Sequence, residues 1–319
     1  MEYTKFKDLK VGDSNLEILA LVTDCKVKQT VNQTPYYGLT ISDGDTLADA
    51  RIWTVSLVNE LAEKEIKAGN VYKMIIKVNE YGGKNQIIIN RIEDAVLTDE
   101  EKAKFYRSAP VNIDELKQGI KDYIARIGNP ILRSLVTKLI TENADKYFNH
   151  PAAMTMHHNY LNGLVYHTYS MLKIAEVCLV NYPALNKDLL FSGILIHDIG
   201  KTIEISDEKI PTYSIEGNLL GHIVIGLQML HEAAKELNVL GTEEVLALEH
   251  LIAAHHGELE YGSPKEPLIM EAQLLFYIDL LDSKLAGINA EVSKTDAGST
   301  TNPIPTLNRK SLYVPNILK

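Results

Sequence analysis

Residues 189–201 read LLFSGILIHDIGK, an apolar run that ends in an adjacent histidine and aspartate. Leu190, Ile194 and His197 recur at the spacing that places side chains on one face of a helix. His197 is therefore expected to point into a helical core, with Asp198 directly after it. Because a buried charged group is costly unless it is paired or bound to a metal, this stretch predicts a helical domain around a polar centre.

The residues on either side of this stretch continue the helical periodicity. Asn112 followed by Glu115 is typical of a helix start, and Gly128-Asn129-Pro130 is typical of a helix end. We expect an all-α bundle over residues 112–288 and an irregular tail over residues 289–319 that wraps the body or is mobile. Further helices are predicted over residues 130–143, 161–181, 187–199, 219–237, 243–256 and 268–287.

Residues 1–95 have the patterning of β-strands instead. Gly82-Gly83 indicates a hairpin between the last two strands, and a short helix is predicted over residues 56–69. Five short strands with a helix between the third and fourth are the order of an OB-type barrel. The charged residues 96–111 are interpreted as a linker. The strands are predicted over residues 18–30, 36–43, 48–53, 71–81 and 85–96.

Composition excludes several classes of protein. The chain has 319 residues, and its 45% hydrophobic and 23% charged residues are typical of globular domains. Cys25 and Cys178 lie far apart, so neither a disulfide scaffold nor a thiolate zinc site is expected, and a reducing cytoplasm fits. The charged start and the lack of a long apolar run predict neither a secretory signal nor a membrane span. A net charge of −10 disfavours generic binding of polyanions.

All ten histidines lie at or beyond residue 150, and several occupy patterned positions. His167 shares a helix face with apolar residues, His222 lies in GHIVIGLQML, and His255-His256 ends a predicted helix. Asp279 lies among apolar residues. Each residue alone is more simply explained as a hydrogen-bonded core residue. Together they favour a metal site of nitrogen and oxygen ligands, which suits Mn²⁺, Fe²⁺, Zn²⁺ or Ni²⁺ better than Ca²⁺.

His167, the pair His197-Asp198 and Asp279 resemble the H…HD…D signature of the HD-domain phosphohydrolases, and HDIGK resembles their HDxGK segment. The wider chain resembles the YhaM-type 3′–5′ exoribonucleases, which join an N-terminal OB domain to an HD domain. The fold class implied is multidomain, with a small all-β OB-type barrel followed by an all-α HD-domain bundle. The segments that carry the resemblance are HHNYLNGLVYHTYSML, GILIHDIGKT, GHIVIG, AAHHGELEYGSPKEP and EAQLLFYIDLLDSKL.

The resemblance implies divalent metal ions, most simply two Mn²⁺, with Fe²⁺, Zn²⁺, Co²⁺ and Ni²⁺ as alternatives. The second oxygen of Asp198 would bridge the two ions. Ions about 3.5–4 Å apart can clamp the attacking and leaving oxygens of phosphodiester hydrolysis. Lys201 is expected to neutralise a phosphate oxygen, or alternatively to be an ordinary helix-end charge. The expected ligands are His167, His197, Asp198 and Asp279 for the first ion, and Asp198, His222 and either His255 or His256 for the second.

The barrel is expected to deliver a single-stranded substrate by stacking bases on aromatic rings and tracking phosphates with cations. The candidate contacts are Tyr36, Tyr37, Trp53 and Lys73, although about half of the strand residues should face inward. The expected activity is hydrolysis of single-stranded RNA, with single-stranded DNA as an alternative, to nucleoside monophosphates in the cytoplasm. Homo-oligomerisation is left open.

Two other functions compete with this expectation. One is an HD phosphohydrolase of a small or cyclic nucleotide, for which the barrel would be a regulatory or oligomerisation module. The segment HHGELEYGSP lacks the GYP motif of HD phosphodiesterases that act on cyclic dinucleotides, which weakens the cyclic alternative. The other is a single-strand-binding or replication-associated protein with a vestigial HD site, which the intact ligand set disfavours.

Overall fold

The chain forms two compact units that divide near residue 107. None of the described helices combines the length and the apolar character that a bilayer crossing needs. The computed structural model describes residues 4–44, 46–53, 66–81, 84–98, 101, 104–105, 111–151, 161–206 and 212–318.

The N-terminal unit contains a closed five-stranded barrel. Its strands are β1 (Ser14–Gln29), β2 (Pro35–Ser42), β3 (Leu47–Ile52), β4 (Val71–Tyr81) and β5 (Lys84–Asp94). They follow the order β1-β2-β3-β5-β4, and every pairing is antiparallel except that of β3 with β5. The five predicted strands and the OB-type fold are confirmed. Most of the helix predicted over residues 56–69, and the Gly82-Gly83 turn, lie outside the described residues.

Alternation along the strands determines which side chains fill the barrel. On β4, Met74, Ile76 and Val78 are buried at every second position, as expected when one face of a strand packs on a core. The same alternation on β2 buries Tyr37 in the core and leaves Tyr36 half exposed. The two adjacent tyrosines therefore have different surroundings.

The second unit is a bundle of α-helices around one apolar core. Five helices begin at side chains that cap free backbone N–H groups; these caps are Asn112, Asn129, Asn186, Ser214 and Thr242. The helices are α1 (Ile113–Ala125), α2 (Pro130–Glu142), α3 (Ala144–Asn149), α4 (Gly163–Asn181), α5 (Lys187–Ile196), α6 (Lys201–Glu204), α7 (Ile215–Glu236), α8 (Glu243–Ala254) and α9 (Met270–Val292). The predicted all-α bundle is confirmed, while α3 and α6 are too short to show in the sequence periodicity.

The end of the bundle differs from the prediction. Helix α9 continues to Val292, past the predicted end of its periodic segment at 287 and the predicted start of the tail at 289. Gly287 lies inside the helix, at its close approach to Thr306, whose side chain would clash with a Cβ at this position. The tail wraps the body: Ile304 is fully buried, and the Lys284 ammonium donates to the carbonyl of Thr306.

Candidate functional site

Five helices bring the patterned histidines and carboxylates of the bundle to one centre. His167 lies on α4, and His197 and Asp198 directly follow α5. The other members are His222 on α7, the pair His255-His256 directly after α8, and Asp279 on α9. Residues more than 100 positions apart in sequence therefore lie side by side.

Two glycines allow these helices to approach each other. Gly200, in the HDIGK segment, faces the backbone of α7, where an added Cβ would overlap the carbonyl oxygen of His222. Gly221 has a φ of 71° and kinks α7 directly before His222, a left-handed conformation that side chains with a Cβ rarely adopt. Together they seat His222 beside the turn that carries Asp198.

The first cluster contains His167, His197 and Asp279. One ligand atom from each of the three lies within 4.8 Å of the others. The His167 Nε2 is 3.2 Å from Oδ1 of Asp279, and both histidines are buried. This set of two imidazoles and one carboxylate is a nitrogen and oxygen site for a divalent transition metal.

The second cluster contains His222, His255 and His256, whose ligand atoms also lie within 4.8 Å of one another. His255 is fully buried, and the other two are partly buried. The sequence left open which of the adjacent histidines faces the site, whereas the structure brings both rings into the cluster.

Asp198 lies between the two clusters. Its Oδ2 is 3.3 Å from the His197 Nε2. Its Oδ1 faces the second cluster, at 3.5 Å from the His222 Nε2 and 3.7 Å from the His255 Nε2. The Lys201 ammonium donates to Oδ2 at 2.7 Å, so it belongs to the centre and is more than a surface charge at a helix end.

All five imidazoles of the two clusters are held through Nδ1. In His197, His255 and His256 the partner of Nδ1 is a backbone carbonyl, which only accepts hydrogen bonds. Nδ1 must therefore carry the proton, and the Nε2 of the neutral ring keeps its lone pair. In His167 and His222 the Nδ1 partner is a carboxylate. The rings are thus oriented to present Nε2 to the centre.

Several buried polar atoms of the centre point at one another without donating or accepting. Within the described part of the chain, no hydrogen bond is made by Nε2 of His197, His222 or His255, or by Oδ1 of Asp198. Such groups are costly to bury unless something satisfies them. Lone pairs converging from imidazoles and a carboxylate fit a divalent cation.

The electrostatics of the centre distinguish its two clusters. Burial and the neighbouring imidazole of His256 hold the pKa of His255 well below its usual range, so its ring is neutral at pH 7. Burial alone would raise the pKa of Asp198, but Lys201 and His197 hold it well below the usual range. Burial alone would lower the pKa of His167, but Asp279 and Asp282 raise it to about 10. In the first cluster, the carboxylates therefore keep a proton on His167 at pH 7, which a bound divalent ion would have to displace. In the second cluster, burial lowers the pKa of both His255 and His256.

Sequence patterns missed three polar residues of the centre. Asp282 accepts from the His167 Nδ1 at 2.7 Å and from the hydroxyl of Ser170. Glu204 accepts from the His222 Nδ1 at 3.2 Å. Asp282 could have been found from its position one helical turn after Asp279, a spacing that places both carboxylates on one face.

The barrel carries a separate aromatic surface. The rings of Tyr36 and Trp53 stack at 4.4 Å between centroids, and Trp53 is 39% exposed. The Arg51 guanidinium lies 5.9 Å from the Tyr36 ring centroid, and an added Cβ at Gly38 would meet the side chains of Lys28 and Arg51. An aromatic pair with two cations on one barrel face is suited to stacking bases and contacting phosphates.

The structure does not bring the other two predicted barrel contacts to this surface. Tyr37 packs in the barrel core, because its side chain points to the opposite face of β2 from Tyr36. Lys73 lies on β4 and forms a 2.8 Å ion pair with Glu17. Lys73 pairs with Leu19 of β1, whereas Tyr36 pairs with Lys28 of the same strand. The two pairing positions on β1 are nine residues apart. Neither residue therefore belongs to the aromatic surface.

Residues 164–284 match the family model of the HD domain. The matched range contains every histidine and carboxylate of both clusters. HD domains bind divalent metals, and the match indicates a metal-dependent phosphohydrolase.

Solved structures with similarity to this chain include two single-domain matches. The second OB-fold domain of replication protein A from Methanococcus maripaludis is 20% identical, with 30% of this chain and 98% of that chain covered and a TM-score of 0.24. The mitochondrial single-stranded DNA binding protein Rim1 from S. cerevisiae is 12% identical, with 26% and 96% covered and a TM-score of 0.22.

A third match is a putative aspartyl-tRNA synthetase from Leishmania major Friedlin. It is 15% identical, with 52% of this chain and 39% of that chain covered and a TM-score of 0.22. At these TM-scores the likenesses carry no argument about function. The assignment of the barrel rests on its own strand order.

Proposed function

We propose that this chain is a divalent-metal-dependent 3′–5′ exoribonuclease of the YhaM type that degrades single-stranded RNA to nucleoside monophosphates. The observation that carries the proposal is Asp198, a buried carboxylate that faces one histidine cluster with each oxygen. The 3′–5′ polarity and the preference for RNA over single-stranded DNA rest on the resemblance of the HDIGK region and its neighbouring segments. A cytoplasmic location is part of the same proposal.

The proposed ligand assignment follows the two clusters and makes Asp198 the shared carboxylate. Bound divalent ions, most simply Mn²⁺, would supply Lewis-acid activation of the phosphodiester and of the attacking water. The first ion would be held by His167, His197, Asp198 and Asp279, and the second by Asp198, His222, His255 and His256.

The protein's own groups orient these ligands and balance their charge. The Nδ1 hydrogen bonds fix the imidazole tautomers, so no ring has to reorient when an ion binds. Lys201 keeps a positive charge beside Asp198, where it can neutralise a phosphate oxygen as negative charge develops. Asp198 and Lys201 are the residues that we assign to catalysis.

The barrel is proposed to bind the strand upstream of the cleaved end. Of the predicted contacts, Tyr36 and Trp53 are retained, and Arg51 and Lys28 are added because they cover the same face. Stacking contributes about 1–3 kcal/mol per base, so Trp53→Ala should weaken binding of a long RNA by about 5- to 150-fold. Tyr81, which is 76% exposed at the far end of β4, supplies the matched control Tyr81→Ala.

The proposal is tested with purified full-length protein, Mn²⁺ and a 5′-labelled single-stranded RNA of about 20 nucleotides. The expected product pattern is a descending ladder, with nucleoside monophosphates released and slower degradation of a strand that ends in a 3′-phosphate. Trp53→Ala should lower the specificity constant for the long RNA while leaving that for a dinucleotide unchanged.

Two results would contradict the proposal. Internal cleavage of the labelled strand would exclude an exonuclease. Faster turnover of a free or cyclic nucleotide than of the RNA, under matched Mn²⁺, would favour the small-nucleotide phosphohydrolase instead.

A further inference from the structure

Each of the two clusters contains one histidine that differs from the others in the partner of its Nδ1. His197, His255 and His256 donate to backbone carbonyls, whereas His167 and His222 face carboxylates. His167 belongs to the first cluster and His222 to the second. The two carboxylates, Asp282 and Glu204, are buried and belong to neither cluster.

We infer that Asp282 and Glu204 are positioning residues, one for each metal ion, that act through His167 and His222 without touching the ions. The inference rests on the metal site of the proposed function and adds two residues to it. A carboxylate that accepts from Nδ1–H fixes the ring and makes Nε2 a stronger donor to a metal, which a carbonyl does to a smaller degree.

The geometry around Asp282 supports this role. Its Oδ2 lies 2.7 Å from the His167 Nδ1, while Nε2 of the same ring lies 3.2 Å from Asp279 on the opposite edge. The imidazole therefore separates Asp282 from the centre. The Ser170 hydroxyl donates to the other oxygen of Asp282 and so orients the carboxylate from α4.

Glu204 has the equivalent place at the second cluster. Its Oε1 lies 3.2 Å from the His222 Nδ1 and accepts from the His222 backbone N–H at 3.0 Å. The Nε2 of the same ring points away from Glu204, toward Oδ1 of Asp198. One oxygen thus holds both the ring and the start of the helical segment that follows the Gly221 kink.

The test is Mn²⁺ binding by chelator-stripped full-length protein without substrate, with free Mn²⁺ counted by electron paramagnetic resonance. Asp282→Asn and Glu204→Gln remove the charge but keep a side-chain acceptor. Each variant should lower the affinity for one of the two Mn²⁺ ions by about 10- to 100-fold and leave the affinity for the other unchanged. The double variant should lower the affinity for both ions. Melting temperatures measured in chelator separate loss of ligand orientation from loss of folding.

Glu249→Gln is the matched control. Glu249 lies 3.8 Å from Nδ1 of His231, outside both clusters, so this variant makes the same substitution beside a histidine that is not part of the metal centre. This variant should bind Mn²⁺ like the wild type. If Asp282→Asn does not fold, Ser170→Ala replaces it. This variant should lower the affinity for the first ion, because it removes the hydrogen bond that orients the Asp282 carboxylate.

The inference would be overturned if Asp282→Asn and Glu204→Gln both bind the two ions with wild-type affinity. Where Ser170→Ala replaces Asp282→Asn, the same criterion applies to Ser170→Ala. The two proposals fail in different ways. A wild type that binds two ions, with the expected losses in the variants, but does not degrade RNA contradicts only the proposed function. A wild type that degrades RNA, with variants of unchanged Mn²⁺ affinity, contradicts only the positioning role.

Discussion

Replacement of Asp198 should have two separable effects, one on folding without metal and one on turnover with metal. Asp198→Ala removes a carboxylate that is 4% exposed and accepts from Lys201 at 2.7 Å. Asp198→Asn keeps the volume and an acceptor but removes the charge. Both variants should therefore lose activity and some stability, because both remove the counter-charge of Lys201. The asparagine variant should lose less stability, because it keeps an acceptor for the Lys201 ammonium.

The loss of stability follows from Lys201, which Asp198→Ala leaves without its main counter-ion. A buried charge without its partner costs about 3–5 kcal/mol, and the 15% exposure of the Lys201 side chain favours the lower end. The helical unit has roughly 200 residues. A loss of about 3 kcal/mol in a unit of that size lowers the melting temperature by about 6–12 °C.

The loss of turnover follows from the position of Asp198 between the clusters. Loss of a residue that only orients a ligand typically costs about 10–100-fold. Loss of a carboxylate that faces both clusters should cost more than this, about 100-fold or more, because both ions would lose a ligand. Both Asp198 variants should show this loss in saturating Mn²⁺.

The assay pairs thermal melts in chelator with RNA degradation in Mn²⁺. Asp188→Ala is the control, because Asp188 is a half-buried aspartate that accepts from the Asn129 N–H outside both clusters. Its turnover should equal that of the wild type. The expected decrease in melting temperature is about 6–12 °C. If Asp198→Ala melts within about 2 °C of the wild type, the role of Lys201 as the buried partner of Asp198 is wrong. Turnover within about tenfold of the wild type in either Asp198 variant would refute the shared-ligand assignment, which requires a larger loss.

Three further predictions concern packing, metal linkage and pH. Gly200→Ala should cost about 1–3 kcal/mol, because its Cβ would overlap the His222 carbonyl; a wild-type melting curve would contradict this. Mn²⁺ at about 100 times its dissociation constant should stabilise the protein by about 2.7 kcal/mol per ion, and excess chelator should reverse the shift in melting temperature. Burial and Asp24 raise the pKa of Cys25 to about 11, so little thiolate exists at pH 8. Alkylation of Cys25 should be about 20-fold slower than that of a free thiol and should accelerate toward pH 11; peptide mapping that shows free-thiol rates at pH 8 would contradict the raised pKa.

The sequence predicted the parts of the centre that depend on local periodicity. Helical spacing correctly placed His167 and His197 on inward faces. The spacing to Asp279 places Asp282 on the same helix face, but its contact with His167 depends on α4 packing beside it. Glu204 had no such signal, because its role depends on the kinked α7 that packs beside it.

The barrel illustrates a different limit. Period-two alternation shows that only one of Tyr36 and Tyr37 can face inward, but not which one. The strand pairing of the closed barrel decides this, because it buries Tyr37 and stacks Tyr36 on Trp53. Lys73 was placed by its charge and strand position alone, and the Glu17 ion pair that engages it depends on the pairing of β1 with β4.

The most direct test of the metal centre is anomalous diffraction from crystals of the full-length protein grown with Mn²⁺. Data collected at the manganese edge should give two anomalous peaks. One should lie among His167, His197 and Asp279, the other among His222, His255 and His256, with density for Asp198 contacting both. A single peak, or two peaks that do not share Asp198, would contradict the account.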